Sequence, residues 1–474
     1  MLINSTRFPT QFWAAHSAQN VAIIWEKGTS DYLNHLPSNI TWYSLNQLIA
    51  QAIFVLQQQG ATPHSLIAYC GSHRLIGLLT YCASLALGAK ILMLNPAQTA
   101  SQRQAVLDDN GVELIINDAD FAKFSAKTTA CNAFPTIDFE KPATLTLTSG
   151  SSGKPKAVVH SIAAHLYSAE GVCELMAFEQ PNSWLLSLPL FHVSGQGIIW
   201  RWLFKGATLY VHEDKSDFFL SAQKVSHLSL VPTQLQRYLN QLDSMVSQKC
   251  LLGGSMLPAE LIAQAQQSGM TTFSGYGMTE MASTICAVEN DLNSVGFPLK
   301  HRELKLENGE IWVKGKSLGL GYWQKNGQIR PLVNTQGWFA TKDRGEWNHK
   351  KQLVIKGRLD NMFISGGENI QPEEMNIEQL IFRSQLVEQI IVLPIEDKQF
   401  GHRPVAFLQF KQSDSKNELH KLKIWLSDKL ERFKQPVAYY LLDIEKYQKQ
   451  GLIKLSRTQL QQDLKLKVLK EIYV

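Results

Sequence analysis

A chain of 474 residues, 45% hydrophobic and 18% charged with a net charge of +5, is too apolar to be a disordered chain, a collagen or a low-complexity array. At roughly 150 residues per domain its length suggests about three units, or fewer if one is a large α/β domain, and it can bury a core that needs no staples. The charge is uneven: residues 411–474 carry 12 Lys and 2 Arg against 8 Asp and Glu, a surplus of +6, so residues 1–410 carry −1.

The opening MLINSTRFPTQFWAAHSAQN has no basic start followed by an apolar run, which predicts no secretory signal. Residues 42–59 carry apolar side chains at helical spacing and stop at Gly60, which predicts a helix. Residues 65–70 read as a short strand, 75–87 as a helix ending at Gly88, 90–94 as the next strand, closed by Asn95-Pro96, and 111–116 as another. The run at 75–87 is broken by Gly, Thr, Ser and Tyr and is too short to span a bilayer, so no stable membrane insertion is expected. Strands and helices alternating through short connections predict a mostly parallel sheet covered by helices. Further on, 144–148 and 157–159 read as strands around a Ser/Gly loop, and 185–190 as a buried strand. The stretch 358–372 turns rich in Gly, Asn and Asp. After it come a helix at 373–382, strands at 388–394 and 403–410, an amphipathic helix at 420–433 and a final apolar run at 437–442. The fold class is α/β: a large N-terminal domain, 1–359, of stacked, mostly parallel α/β sheets, and a small α/β C-terminal domain, 360–474, joined by a hinge near Asp360.

Six cysteines, none closer than twelve positions to the next, leave no CxxC pair or zinc knuckle. A reduced, cytoplasmic protein is the simplest expectation. In the basic tail the lysines alternate with acids and apolar positions, which predicts solvated helix faces and room for a polyphosphate ligand. A nucleic-acid surface would need aromatic residues interleaved with a continuous basic face, and none is read.

The segment TLTLTSGSSGKPKAVVHS, residues 144–161, carries the densest chemistry. A loop of Gly and Ser lets backbone N–H groups and hydroxyls approach phosphate oxygens closely, and lysines add charge. Its spacing is not that of a Walker A loop. The segment resembles the phosphate-binding signature of the adenylate-forming superfamily, which includes acyl-CoA synthetases, luciferases and nonribosomal adenylation domains. Ala157 stands where the family usually has Gly. The resemblance extends over almost the whole chain and implies ATP contacts at Thr148, Ser149, Gly150, Ser151, Ser152, Gly153 and Lys156.

The remaining motifs follow from the same resemblance. LLGGS places Gly253, Gly254 and Ser255 beside the adenine. GYGMTEMAS implies nucleotide contacts at Gly275, Tyr276, Gly277 and Thr279, with Glu280 helping to hold Mg²⁺, a role for a hard carboxylate. GWFATKDRGEW implies that Asp343 grips the ribose hydroxyls. IKGRLDNMFISGGENIQPEE places Arg358 at ribose and phosphate, Asp360 at the hinge, and Gly366 and Gly367 in a turn used in the thiol step. The family's late Gly-Lys-x-x-Arg appears as GLIKLSR, which assigns the catalytic lysine to Lys454 by its spacing to Arg457, although the glycine stands three residues ahead of it. Lys156 and His192 complete the expected catalytic set.

The resemblance implies two half-reactions. A substrate carboxylate joins the α-phosphate of ATP and releases pyrophosphate; a thiol, that of CoA, then attacks the acyl-adenylate and AMP leaves. Such chemistry needs positioning and charge neutralisation more than covalent catalysis, and no GxSxG nucleophile elbow occurs. Substrate choice falls to NSWLLSLPLFHVSGQGIIWRWLFKGA, residues 182–207. His192 matches the pocket mouth, Gly195 and Gly197 leave space at a helix start, and Arg201 follows in an apolar run. This wording, with SLVPTQL, SGGENIQPEE and FGHRPVA, is similar to a subgroup that activates an aromatic acid bearing a second, succinyl carboxylate for menaquinone biosynthesis. Arg201 would meet that carboxylate or, alternatively, form a structural ion pair. The other readings are a related acyl- or aryl-CoA ligase and a non-catalytic binding module. The presence of Lys156, Glu280, Asp343, Arg358 and Lys454 opposes the second. Partners are small-molecule substrates, and a homo-oligomer is left open.

Overall fold

The helix expected from residue 42 runs Trp42–Gln58 in the computed structural model, its first turn capped by the Thr41 hydroxyl, which accepts from Ser44 N at 3.2 Å. The structure describes residues 5–28, 32–122, 124, 134–148, 155–253, 259–291, 293–361, 363–365, 368–370, 372, 377–432, 434–444, 457–466 and 471–472. They fall into two compact units. One draws on the chain up to Leu304 and on Val313–Phe339; the other draws on Lys305–Trp312 and the chain from Ala340 on.

The larger unit holds two sheets. The first has nine strands, in the order Phe297–Pro298, Ser283–Glu289, Thr271–Met278, Lys249–Leu252, His227–Leu230, Ser183–Leu185, Thr208–His212, Val21–Glu26, Asn39–Thr41. Its centre is parallel and its margins antiparallel. The second has seven strands, in the order Ile329–Arg330, Gly321–Trp323, Lys156–Ser161, Pro142–Thr148, Lys90–Met93, Leu66–Tyr69, Leu114–Ile116. Parallel pairing links the last four, and antiparallel pairing the rest. Helices Trp42–Gln58, Arg74–Leu87, Ile162–Leu175 and Val193–Lys205 share one apolar core with residues of both sheets, among them Ile67, Ile91, Trp184 and Leu209. Burial on this scale is the main favourable term in the fold. Helix Arg74–Leu87 stops where Gly88 takes a left-handed conformation, φ 86°.

Three expectations shift. The strand read at 111–116 is only Leu114–Ile116, because Gly111 (φ 62°) terminates a helix, Ala100–Asn110, that polar residues conceal in the sequence. The strand read at 185–190 ends at Leu185: Leu186 N still reaches Tyr210 O, but Pro189 has no N–H to donate, and residues 186–190 form a buried crossing. The amphipathic helix read at 420–433 is Ser415–Ser427, started by the Asp414 carboxylate, which accepts from Asn417 N at 3.2 Å.

In the smaller unit, Val387–Asp397 and Gly401–Phe410 form a long antiparallel pair, with Phe363–Ser365 and Glu368–Ile370 on one side and Ala438–Leu441 parallel to Gly401–Phe410. Val387, Val392, Ala406 and Leu408 pack with Leu419, Leu422 and Leu426 of the helix. Of the helix read at 373–382, Glu378–Arg383 is described. No helix among the described residues is long and apolar enough to cross a membrane.

Candidate active site

Strands Pro142–Thr148 and Lys156–Ser161 pair so that Thr148 stands opposite Lys156. The chain between them is the Ser/Gly loop; Ser149, Gly150, Ser151, Ser152 and Gly153 lie outside the described residues, as do Gly254, Ser255, Gly366, Gly367 and Lys454. Strand Gly321–Trp323 pairs with Lys156–Ser161, Tyr322 facing Val158. Lys156 is two residues from Val158 and so shares the face of Tyr322; its ammonium lies 5.4 Å from the tyrosine ring centroid. The same phenol donates to Glu280 Oε1 at 2.9 Å. Two expected site residues thus meet on one aromatic ring that sequence reasoning passed over.

Glu280 is held by an unusual backbone. Strand Thr271–Met278 runs into a short 3₁₀ turn, Thr279–Met281, and Ala282 (φ 50°) and Ser283 (φ 104°) follow in the left-handed region. Such conformations are costly outside glycine and gather at functional sites. The register slips between Tyr276 and Gly277. A Cβ on Gly277 would stand 2.1 Å from Ser283 O, so the second glycine of GYG is a steric demand. Ser168 Oγ donates to Ala282 O at 2.6 Å and Gly319 N to Glu280 O at 2.8 Å, pinning both ends of the turn. Glu280 is only 8% exposed. Parallel pairing of Lys249–Leu252 with Thr271–Met278 sets Gly253 beside Gly275, whose O would lie 3.6 Å from a Cβ at 253. Gly253 follows the carboxyl end of its strand and Gly275 follows the last parallel-paired residue of its own, Ser274; α/β sheets bind ligands at such carboxyl ends.

His192 is the N-cap residue of helix Val193–Lys205. The space expected at Gly195 is filled: a Cβ there would meet Pro189 O at 2.1 Å, so this glycine serves a close backbone approach. A Cβ on Gly197 would sit 3.2 Å from the Arg201 guanidinium and 3.1 Å from Ser283 Oγ. Arg201 itself is 2% exposed. It donates to Ser229 Oγ at 3.2 Å and Thr284 Oγ1 at 3.4 Å, and its guanidinium lies 4.9 Å from the Trp184 ring centroid. Burial pushes its pKa down to about 10, which leaves it charged at neutral pH. Among the described residues no carboxylate pairs with it within 4.0 Å, so the alternative of a structural ion pair is not realised there. A second buried arginine, Arg302, donates to Ser168 O and Oγ, each at 3.0 Å, and to Lys300 O at 2.8 Å. Burial, with a contribution from Arg201, brings it down to about 9. No motif pointed to Arg302 or Thr284, and SLVPTQL, which opens on Ser229, gave that serine no role; each side chain becomes informative only in space.

In the smaller unit Asp343 and Arg358 are register partners, and Arg358 Nη1 donates to Asp343 Oδ1 at 2.9 Å. The same guanidinium grips Asp360 with two bonds, Nε to Oδ1 at 2.8 Å and Nη2 to Oδ2 at 2.9 Å. Partial burial works to raise the Asp360 pKa, but the bonds and charge of Arg358, with Lys342, hold it below the usual carboxylate value. Three residues expected at ribose and hinge are therefore one cluster. Arg457 opens helix Arg457–Lys465 and donates to Glu378 Oε1 and Val392 O, both at 2.6 Å. The arginine of the lysine motif is thus an anchor three residues after Lys454. Among the described residues no three His, Cys, Asp or Glu side chains gather around a metal site. A lone, well-held carboxylate fits an ion that keeps its waters and is bound mainly through substrate phosphates, as Mg²⁺ is.

A family profile described as "AMP-binding enzyme" matches residues 11–323. The 2-succinylbenzoate–CoA ligase of Haemophilus influenzae is 48% identical over 427 residues, covering 89% of this chain and 92% of that protein. Among solved structures, an Arg→Lys variant of E. coli MenE with bound OSB-AMS superposes with a TM-score of 0.84 at 37% identity, covering 97% of this chain and 98% of its own. O-succinylbenzoate coenzyme A synthetase (MenE) from Bacillus subtilis, in complex with ATP and magnesium ion, gives 0.79 at 26% identity, covering 92% and 96%.

Proposed function

The chain belongs to the AMP-binding enzyme family, and from there we propose that it ligates 2-succinylbenzoate to CoA through an acyl-adenylate, consuming ATP and releasing pyrophosphate and AMP, in menaquinone biosynthesis. The observation that carries the substrate is Arg201, a charged guanidinium in an apolar interior with two hydroxyls as its neighbours. A buried charge of this kind is costly unless it meets an anion. The carboxylate of the acid that is not activated is such an anion, and Ser229 and Thr284 offer it two further donors.

In the first half-reaction an oxygen of one substrate carboxylate bonds to the α-phosphorus and the bond to pyrophosphate breaks. Thr148, Lys156 and the hydroxyls of the Ser/Gly loop hold the phosphates in line, Thr279 touches the α-phosphate, and Lys454 offsets charge in the transition state. Magnesium carried with the nucleotide would neutralise phosphate charge, and Glu280, held by the Tyr322 hydroxyl, would be the carboxylate that takes it. Asp343, oriented by Arg358, accepts the ribose hydroxyls. In the second half-reaction the CoA sulfur bonds to the acyl carbon, the adenylate oxygen leaves with AMP, and the thiol proton passes to solvent. The C-terminal domain, residues 360–474, turns about Asp360 between the two steps, bringing Lys454 and then Gly366 and Gly367 into use. Free Cys70, Cys82, Cys173, Cys250 and Cys286 among the described residues support a reducing, cytoplasmic setting.

The test is incubation with 2-succinylbenzoate, ATP and CoA, with mass analysis of the thioester and measurement of pyrophosphate. We expect one thioester and one pyrophosphate per acid consumed. Faster turnover of a plain benzoic or fatty acid would overturn the substrate and leave the ligase class.

A further inference from the structure

Tyr322 lies outside every motif of the expected site, yet it touches two of that site's ionic groups. It is carried on strand Gly321–Trp323, inserted between Lys156–Ser161 and Ile329–Arg330. Its O–H donates to Glu280 Oε1, and the Lys156 ammonium and the Arg330 guanidinium each lie 5.4 Å from its ring centroid. The strand's lead-in also engages both neighbours through the backbone, Gly319 N to Glu280 O and Leu320 N to Val159 O, each at 2.8 Å.

We infer that Tyr322 is the positioning residue of the magnesium–nucleotide site: its hydroxyl fixes the Glu280 carboxylate with Oε1 engaged and Oε2 offered to the ion, and its ring steadies Lys156 for the phosphates. This rests on the reading of Glu280 as the metal carboxylate. Glutamate has three rotatable side-chain bonds, and a metal ligand that must be frozen on binding binds weakly. One charge-assisted bond from a residue locked in a sheet removes that freedom beforehand. Groups that orient a metal ligand contribute about 10- to 100-fold in metal affinity. A cation over a ring contributes less, on the order of a few-fold.

The experiment uses the full chain with a non-hydrolysable ATP analogue and titrates Mn²⁺, reading free ion by electron paramagnetic resonance. Tyr322→Phe keeps the ring and loses the hydroxyl; it should raise the Mn²⁺ dissociation constant about tenfold. Conversion of supplied acyl-adenylate to thioester should stay within about twofold of the parent, which separates positioning from damage to the fold. Tyr322→Leu should add a rise of a few-fold in KM for ATP. Glu280→Gln is the control. If it weakens Mn²⁺ and Tyr322→Phe adds little on top of it, the two act as one unit and the inference stands. If Glu280→Gln weakens Mn²⁺ and Tyr322→Phe alone does not, Tyr322 has no positioning role, and the Glu280 reading survives. If Glu280→Gln leaves Mn²⁺ binding unchanged, that reading falls and takes the inference with it.

Discussion

Arg201 shows how much one side chain decides. A guanidinium reaches Ser229 and Thr284 through two different nitrogens, a geometry that the single ammonium of lysine cannot reproduce. Arg201→Lys should therefore raise KM for 2-succinylbenzoate at least about tenfold, or ~1.4 kcal/mol. A monocarboxylic analogue should lose little. Steady-state kinetics on both acids decide it: equal losses would return Arg201 to a structural role. The arginine itself was legible as a charge inside an apolar run. Its partners were not, because Ser229 is 28 residues away and Thr284 83 residues away on separate strands. Tyr322 escaped for the same reason: an aromatic strand residue looks like core until the register sets it beside Lys156.

Among the elements, the turn after Thr271–Met278 is the most constrained. Gly277→Ala would place a methyl 2.1 Å from Ser283 O, a backbone atom that cannot swing aside. We expect a loss of about 1–3 kcal/mol in stability and a larger loss in adenylation, because the displaced segment carries Thr279 and Glu280. Calorimetry with single-turnover adenylation measures both, and near-parent values would show that the turn tolerates the shift. The helices at 42–58 and 74–87 were readable because 3.6-residue periodicity ended at Gly60 and Gly88. Residues 185–190 misled because an apolar run is equally good as strand or buried crossing, and only Pro189 hinted at the latter. The start of Ser415–Ser427 was missed because its Asp414 cap lies in a polar stretch. In the antiparallel half of the seven-stranded sheet the strands at 144–148 and 157–159 were legible, but Gly321–Trp323 joins from far along the chain, and local pattern carries no trace of that pairing.

For the whole molecule, the hinge reading has a direct test. Asp360→Pro fixes φ near −65° and removes an N–H, and it also frees Arg358 from its second carboxylate. One half-reaction should survive and the other fail; near-normal rates for both would remove Asp360 from the hinge. Acid sensitivity follows from histidines. Burial pushes His160, His212 and His227 down to about 4 from the ordinary 6.5. Between those values the unfolded chain binds protons that the native state refuses, so stability is full above about pH 6.5 and falls as pH drops toward 4. Each such histidine contributes up to ~1.4 kcal/mol per pH unit in that window. Melting temperature measured from pH 7.5 to 5 should fall steadily, and a flat profile would contradict the burial of these rings. The pairing of Val21–Glu26 with Thr208–His212 has a consequence for synthesis. The early strand leaves the ribosome with only Asn39–Thr41 to pair with, and its apolar Ala22, Ile23 and Trp25, all buried in the finished fold, wait for a neighbour made much later. At ~5–20 residues per second that wait lasts on the order of ten to forty seconds. An open strand edge of this kind invites pairing with other chains, so the yield of native protein depends on what shelters residues 21–26 while the chain is still being made.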